Sequence, residues 1–388
     1  MWQAERLQQL PPYLFVEIDR RKRQAIQAGR NVIDFGVGDP DQPTPAFIVD
    51  AMAEAIRRPV NHRYALGAGS IDFRTAAADF CAARFHVELD PKAEVIALLG
   101  SKEGIGHLPT AVVNPGEVVL IPEPGYPVYA SGTIFAAGRC HTMALAEDRG
   151  WLPDLEAVPA DVRRQARLLY LNYPNNPTSA CTDLEFFERA VAFARRHELL
   201  IAQDAAYSEV YFDRDDPPPS ILQVPAARDV AIELHSLSKT FNMTGWRVGF
   251  AVGNAAALAS LAKVKANVDS GVFGAVQQTA AVALRGYDRP EITSQIESYR
   301  RRRDILVGGL RQAGWSVASP RATFYVWAKC PKSIPSMTVV GRILDEADVV
   351  AIPGAGFGPF GEGYIRFALT VDEHRTREAI AKLSRIAW

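Results

Sequence analysis

A chain of 388 residues is longer than one compact core usually supports, so two structural units are expected, or one large unit with a smaller companion. Lysine and arginine number 43 against 44 acidic residues, and a net charge of −1 excludes general electrostatic attraction to nucleic acid or to an anionic membrane. Four scattered cysteines without a CxxC pair, an N-terminal MWQAERLQQLPPYLF without a leader pattern, and no uncharged window of membrane-spanning length lead us to expect a soluble, reduced, cytoplasmic protein.

Apolar, strand-like runs follow one another along the chain: VIALL (95–99), EVVLI (117–121), LLYL (168–171), LLIAQ (199–203), VAIELHSL (230–237) and VGFAV (248–252). Amphipathic helical stretches separate them, which is the pattern of an α/β sheet with mostly parallel strands. The clearest unit is LLYL, a helix over 183–196, then LLIAQ; Thr182 and Glu185 have capping-box spacing at the start of that helix. From about residue 290 the texture changes to a long charged helix, a strand around TFYVWA, a short helix, DVVAI, YIRFAL and a closing helix after Thr370. We therefore expect an N-terminal arm over 1–45 that also forms part of the small domain, a large domain over 46–289 and the small α+β domain over 290–388. GAGFGPFG (354–361) looks like a dinucleotide loop but leads into a strand where that fingerprint needs a helix, so it reads as a connection.

In open sheets of this kind ligands gather beyond the carboxyl ends of strands. Asn176, Asp204 and Lys239 are all placed there. A partly desolvated lysine at such a position suits a Schiff base with an aldehyde cofactor. Four further requirements follow for a phosphorylated pyridine aldehyde: an anion site, a partner for the ring nitrogen, a stacking surface, and an arginine for a substrate carboxylate. GSKEGIG (100–106) opens a helix after a strand, so Ser101 and Lys102 would present backbone N–H groups to phosphate, with Ser236 and Arg247 adding a hydroxyl and a guanidinium. Asp204, in AQDAAYSEV, would satisfy a protonated ring nitrogen. Tyr207 could bond a phenolic oxygen on the ring, and Tyr126, in PEPGYPVY, could stack on it. Taken singly, each of these is equally an ordinary turn, strand exit or half-buried tyrosine. The seven histidines never reach metal-ligand spacing, and no metal is expected.

NYPNNPTSA with Asn176, QDAAY with Asp204 and Tyr207, and SLSKTFNMTGWRVG with Lys239 and Arg247 resemble, in order and spacing, the signature set of class I/II aminotransferases of fold type I. The resemblance covers nearly the whole chain. It implies pyridoxal 5′-phosphate, a mostly parallel seven-stranded sheet between helices, catalysis by Lys239 with Asp204 and Tyr207, and ping-pong exchange between an amino acid and a 2-oxo acid. It places Arg366 of YIRFAL, Val37 and Gly38 of GVGDPDQPTP, and Asn176 at the substrate carboxylate. It further implies a homodimer with shared sites, in which Tyr64, and with it Ser270, reaches the neighbour's cofactor phosphate. Ser179 departs from the family's usual glycine after NPT.

LPPYLFVEIDR, GSKEGI, LEFFE, FHVELDP and NVDSGVF resemble the LL-diaminopimelate aminotransferase branch most closely. That branch implies Tyr13 projecting toward the distal end of a neighbour's substrate, and generally a glutamate shortly after the tyrosine matching Tyr64. Here Tyr64 to Gly69 contain no acid. Diaminopimelate with 2-oxoglutarate is the expected pair. Other aminotransferase specificities and a pyridoxal C–S β-lyase stay open, whereas a ligand-sensing regulator would need a DNA-binding module for which the short arm leaves no room.

Overall fold

The computed structural model describes residues 2–10, 15–65 and 67–388; Tyr13 lies outside them. The strands in chain order are β1 (Ile33–Asp34), β2 (Val95–Leu98), β3 (Val118–Glu123), β4 (Arg139–Ala144), β5 (Ala166–Asn172), β6 (Leu200–Asp204), β7 (Ala231–Ser236), β8 (Gly249–Gly253), β9 (Tyr325–Lys329), β10 (Val349–Val350), β11 (Ile352–Pro353) and β12 (Tyr364–Ala368).

Strands β2 to β8 make one seven-stranded sheet in the order β2-β8-β7-β6-β5-β3-β4. Neighbours are parallel except at β8, which runs antiparallel to both β2 and β7. A sheet of this kind is covered on both faces, which is why its central strands read as unbroken apolar runs. One face packs on Phe73, Phe80, Phe186 and Phe187, the other on Ile105, Leu108, Tyr129, Leu258 and Leu261. Each large apolar side chain buried this way contributes about 1.5–3 kcal/mol. The edge strand β4, RCHTMA, has no apolar run to announce it, because most of its residues stay exposed or half-buried.

The helix between β5 and β6 spans Leu184–His197, and its cap is Asp183, not Thr182 as expected. The Asp183 carboxylate accepts from the Phe186 N–H at 2.9 Å, and the Thr182 hydroxyl is buried without a partner. An ionised acceptor at the positive end of a helix outcompetes a hydroxyl.

A second core surrounds the antiparallel sheet β11-β12-β9 and the parallel pair β1-β10. Ile18, Ile33 and Phe35 from the N-terminal segment are buried in it. The long helix Pro290–Gln312 bridges the two cores: Ile292 packs in the first, while Ile296, Tyr299, Leu306 and Leu310 pack in the second. Ala206, Tyr207 and Val210, just after β6, also join the second core, so the segment carrying Tyr207 sits where the two meet. GAGFGPFG forms two short 3-10 turns between β11 and β12, as a connection should.

Candidate active site

Strands β5, β6 and β7 run parallel and finish side by side at Asn172, Asp204 and Ser236. A cavity of about 810 Å³ opens beyond these ends. Lys239, Asp204, Tyr207, Asn176 and Arg366 line it together with Tyr126, as do Ser101, Lys102, Ser236, Arg247, Val37 and Gly38. Twelve positions between 37 and 366 thus share one hollow.

Lys239 does not end its strand. β7 closes at Ser236, whose side-chain oxygen accepts from the Ser238 N–H at 3.2 Å and turns the chain into the short helix Leu237–Thr240 that carries the lysine. This turn aims the amine back across the strand ends. Lys239 Nζ donates to the carbonyl of Gly38 at 2.8 Å and lies 5.5 Å from the centre of the Phe324 ring. Burial pushes its pKa down from the ordinary lysine value, which raises the fraction of neutral, nucleophilic amine.

Asp204 is buried at the end of β6, and burial raises its carboxyl from 3.8 to about 6. The Tyr129 hydroxyl donates to Oδ2 at 2.8 Å and the Ala206 N–H to Oδ1 at 3.3 Å, both favouring the anion, yet desolvation outweighs them. A cation beside this carboxylate would reverse the balance. Asn172 supports the same corner: its Nδ2 donates to the Asp204 carbonyl at 2.8 Å, and its Oδ1 accepts from the Asn176 N–H at 2.9 Å.

Arg366, on β12, is 4% exposed. Its Nη1 donates to Asn176 Oδ1 at 2.9 Å and its Nη2 to the Gly36 carbonyl at 3.0 Å, while Nε is buried without a partner. The guanidinium carbon lies 4.2 Å from the Tyr325 ring centre and 4.9 Å from that of Phe357. Such a flat, aromatic-lined cation is suited to a carboxylate that would add the missing acceptors. The 36–38 segment beside it is held at Gly36 and at Val37. Asp34 Oδ1 accepts from the Gly36 N–H at 2.7 Å, and Thr370 Oγ1 donates to the Val37 carbonyl at 2.8 Å.

On another part of the cavity wall, helix Ser101–Val112 starts after Gly100, whose φ of +75° brings the chain close to Arg247. A Cβ on Gly100 would lie 2.5 Å from Arg247 Nη2, so glycine keeps this cradle open. Arg247 donates to the carbonyls of Thr244 at 2.9 Å and Leu99 at 3.3 Å, which holds its charge beside the first turn of that helix. Helix N–H groups, a hydroxyl and a guanidinium gathered in this way have the chemistry to hold an anion. Tyr207 and Tyr325 meet through their hydroxyls at 3.0 Å, and burial drives the Tyr207 phenol well above its ordinary range. Tyr126 packs edge-on against Tyr129, with ring centres 5.9 Å apart. Tyr64 is 86% exposed, and neither it nor Ser270 lines the cavity of its own chain.

Sequence reasoning missed Asn172, Tyr129 and Tyr325. Tyr129 lies in the helix Val128–Phe135, and its bond to Asp204 joins residues 75 positions apart. Tyr325 lies in a strand recognised as such, but only the packing of two distant segments reveals its role.

Among the described residues one set of metal-capable side chains comes together, Glu103, His107 and Asp269. His107, which no sequence spacing marked, lies 3.0 Å from Glu103. The buried ammonium of Lys265 stands inside this group, 2.8 Å from Glu103 and 3.4 Å from Asp269, and supplies its positive charge.

The sequence profile of the family described as "Aminotransferase class I and II" matches residues 30–383. The chain belongs to the class I and II aminotransferases. This aminotransferase is 51% identical over 383 residues to the LL-diaminopimelate aminotransferase of Aquifex aeolicus, covering 99% of this chain and 98% of that one. It is 49% identical over 385 residues to the LL-diaminopimelate aminotransferase of Syntrophobacter fumaroxidans, at 99% of both. Among solved structures, substrate-bound BacF from Bacillus subtilis superposes with a TM-score of 0.94 at 35% identity, over 99% of this chain and 98% of that one. A probable N-succinyldiaminopimelate aminotransferase from Thermus thermophilus gives 0.91 at 36%, over 95% and 99%. The architecture of this aminotransferase is that of fold type I, and its reaction is transfer of an amino group between an amino acid and a 2-oxo acid. No described helix is long and apolar enough to cross a membrane.

Proposed function

We propose that this aminotransferase uses pyridoxal 5′-phosphate and takes LL-2,6-diaminopimelate as donor with 2-oxoglutarate as acceptor. The observation that carries the cofactor is the joint placement, in one cavity, of a burial-depressed lysine, a buried carboxylate raised to about 6 and a glycine-cleared anion cradle. These residues fit the group. Lys239 would hold its aldehyde, Asp204 its ring nitrogen, Tyr207 its phenolic oxygen and Tyr126 its ring face. Ser101, Lys102, Ser236 and Arg247 would hold its phosphate. When bound, it supplies the electron sink that stabilises a carbanion at the substrate Cα.

The protein's own part follows from the geometry. Arg366, steadied by Asn176, binds the donor's α-carboxylate together with the backbone at Val37 and Gly38, and so points the Cα–H at the lysine. Lys239, whose pKa burial lowers from the ordinary lysine value, takes that proton. Asp204 stays anionic opposite a cation and keeps the ring electron-poor. The exchange is ping-pong, because the amino group would be kept on the bound cofactor while the first 2-oxo acid leaves the carboxylate site and the second enters it.

The identity to diaminopimelate aminotransferases over the full chain supports the donor. Tyr64 to Gly69 carry no acid, but Asp19, Lys22 and Arg23 of helix Phe15–Gln27 line the cavity, as does Asp39. Asp19 pairs with Lys22 at 3.0 Å and with Arg23 at 2.6 Å, so a distal ammonium and carboxylate would have to exchange partners within this cluster.

The proposed assembly is a homodimer. Val60, Tyr64, Val268 and Phe273 are exposed, and their segments adjoin where Gly271 meets the Ala65 carbonyl. Such a surface is apolar enough to be covered by a second copy, whose phosphate Tyr64 would reach. Sedimentation velocity should find twice the chain mass.

A donor-by-acceptor screen with LL-diaminopimelate, glutamate, aspartate, alanine, aromatic amino acids and cystathionine tests the reading. Diaminopimelate turning over fastest with 2-oxoglutarate is expected. Faster turnover of another donor, or release of pyruvate and ammonia from cystathionine, would replace it.

A further inference from the structure

Ser179 stands where glycine would be the easier residue. Its φ is +62°, in the left-handed region that side chains disfavour. The side chain is nonetheless buried, and its hydroxyl is used twice. Ser179 Oγ lies 2.8 Å from the Tyr325 carbonyl oxygen and 2.8 Å from Thr323 Oγ1. A carbonyl only accepts, so Ser179 donates to Tyr325 and receives the proton of Thr323. Thr323 Oγ1 in turn accepts from the Tyr325 N–H at 3.0 Å. The bonds close a ring in which each hydroxyl proton has one place.

Thr323 is left-handed too, at φ +65°, a costly conformation for a β-branched residue, and its N–H donates to the Val210 carbonyl at 2.7 Å. Two non-glycine residues are thus strained face to face, and what they gain is the pair of hydroxyls between them. The ring holds Tyr325, and through it two groups of the site. The Tyr325 phenol bonds Tyr207, and its ring packs against the Arg366 guanidinium. Asn176, three residues before Ser179, accepts from the same arginine. One loop therefore grips Arg366 directly through Asn176 and indirectly through Ser179 and Tyr325.

We propose that Ser179 is a positioning residue for the carboxylate-binding arginine, its hydroxyl acting with that of Thr323 to fix β9 so that Tyr325 keeps Arg366 and Tyr207 in place. The proposal rests on the reading of Arg366 given above. It accounts for a serine where the resembling family writes glycine.

The test compares Ser179→Ala, Ser179→Gly, Thr323→Val and Thr323→Ser in enzyme loaded with pyridoxal phosphate. The first three should raise KM for the best donor of the screen about fivefold to tenfold with kcat within about twofold, the scale of one lost buried hydrogen bond. Hydrogen exchange in the peptide containing the Tyr325 N–H should speed up by a similar factor. Thr323→Ser keeps the hydroxyl and should behave like the native enzyme. Ser179→Gly relieves the backbone and adds no atom, so it keeps the test open if the alanine variant folds poorly. Native KM and native exchange in Ser179→Gly, or in Thr323→Val, would overturn the proposal. Should no donor turn over, the reading of Arg366 fails and the positioning role fails with it, whereas unchanged protection of Tyr325 in Ser179→Gly with turnover intact sinks the proposal alone.

Discussion

Asn176 Oδ1 accepts a hydrogen bond from Arg366 Nη1 at 2.9 Å, joining residues 190 positions apart. The arginine's other aminogroup is bonded to Gly36, and aromatic rings flank its plane, so its orientation is fixed before any substrate arrives. A lysine cannot reproduce that fork.

Arg366→Lys should therefore raise KM for the amino donor by about 10-fold to 100-fold, the loss of one or two charge-assisted hydrogen bonds, with a smaller fall in kcat. Steady-state kinetics with donor varied at saturating acceptor measure it. An unchanged KM would place the carboxylate elsewhere.

Lys239→Ala should lower transamination by at least about 10²–10⁴-fold, the usual contribution of a positioned general base. It should also abolish the borohydride-trapped adduct that, on the proposed cofactor, the native protein is expected to give by intact mass after incubation with pyridoxal phosphate. An adduct retained at another lysine would contradict the assignment.

Asp204 makes the apoprotein's stability depend on pH in an unusual direction. Its carboxyl is raised from 3.8 to about 6, so between these values the folded protein keeps a proton that the unfolded chain has released. Stability then falls as pH rises from about 4 to 6, by up to about 3 kcal/mol for a shift of two units, and stays low above. Asp204→Asn should raise the thermal midpoint of the apoprotein at pH 7.5 and flatten that slope, while destroying activity. Scanning calorimetry of both proteins at pH 4.5 and 7.5 gives the comparison; parallel slopes would count against the buried acid.

Gly38→Ala should damage the site from within. A Cβ there would overlap the Tyr325 hydroxyl, so either the phenol leaves Tyr207 or the 36–38 segment withdraws from Lys239. Overpacking of this kind costs about 1–3 kcal/mol, readable as a lowered urea midpoint, together with loss of turnover.

The sequence disclosed the parallel strands and the residues at their ends because buried strands demand apolar runs and because polar residues at such ends stand out. Lys239, Asp204 and Asn176 were legible for that reason, and Arg247 from its spacing to Ser236 and Lys239 within one motif. It did not disclose β4, whose edge position tolerates polar residues, nor the Asp183 cap, where two acceptors in succession compete. It also concealed Tyr325, Tyr129 and Asn172. Their hydrogen bonds span 118 positions in the case of Tyr325 with Tyr207 and 75 in that of Tyr129 with Asp204, and no local pattern encodes a partner so remote.

Lys265 has a structural consequence of its own. Glu103, besides bonding Lys265, accepts from the Leu99 N–H at 3.0 Å and so closes the turn that opens the anion cradle. Asp269, the other partner of the ammonium, accepts from the Gly271 N–H at 2.8 Å and shapes the bend carrying Ser270. A single interior ammonium thus staples the turn before helix Ser101–Val112 to the outward-facing strip of chain at Asp269–Gly271, so that the two are held in one fixed relation.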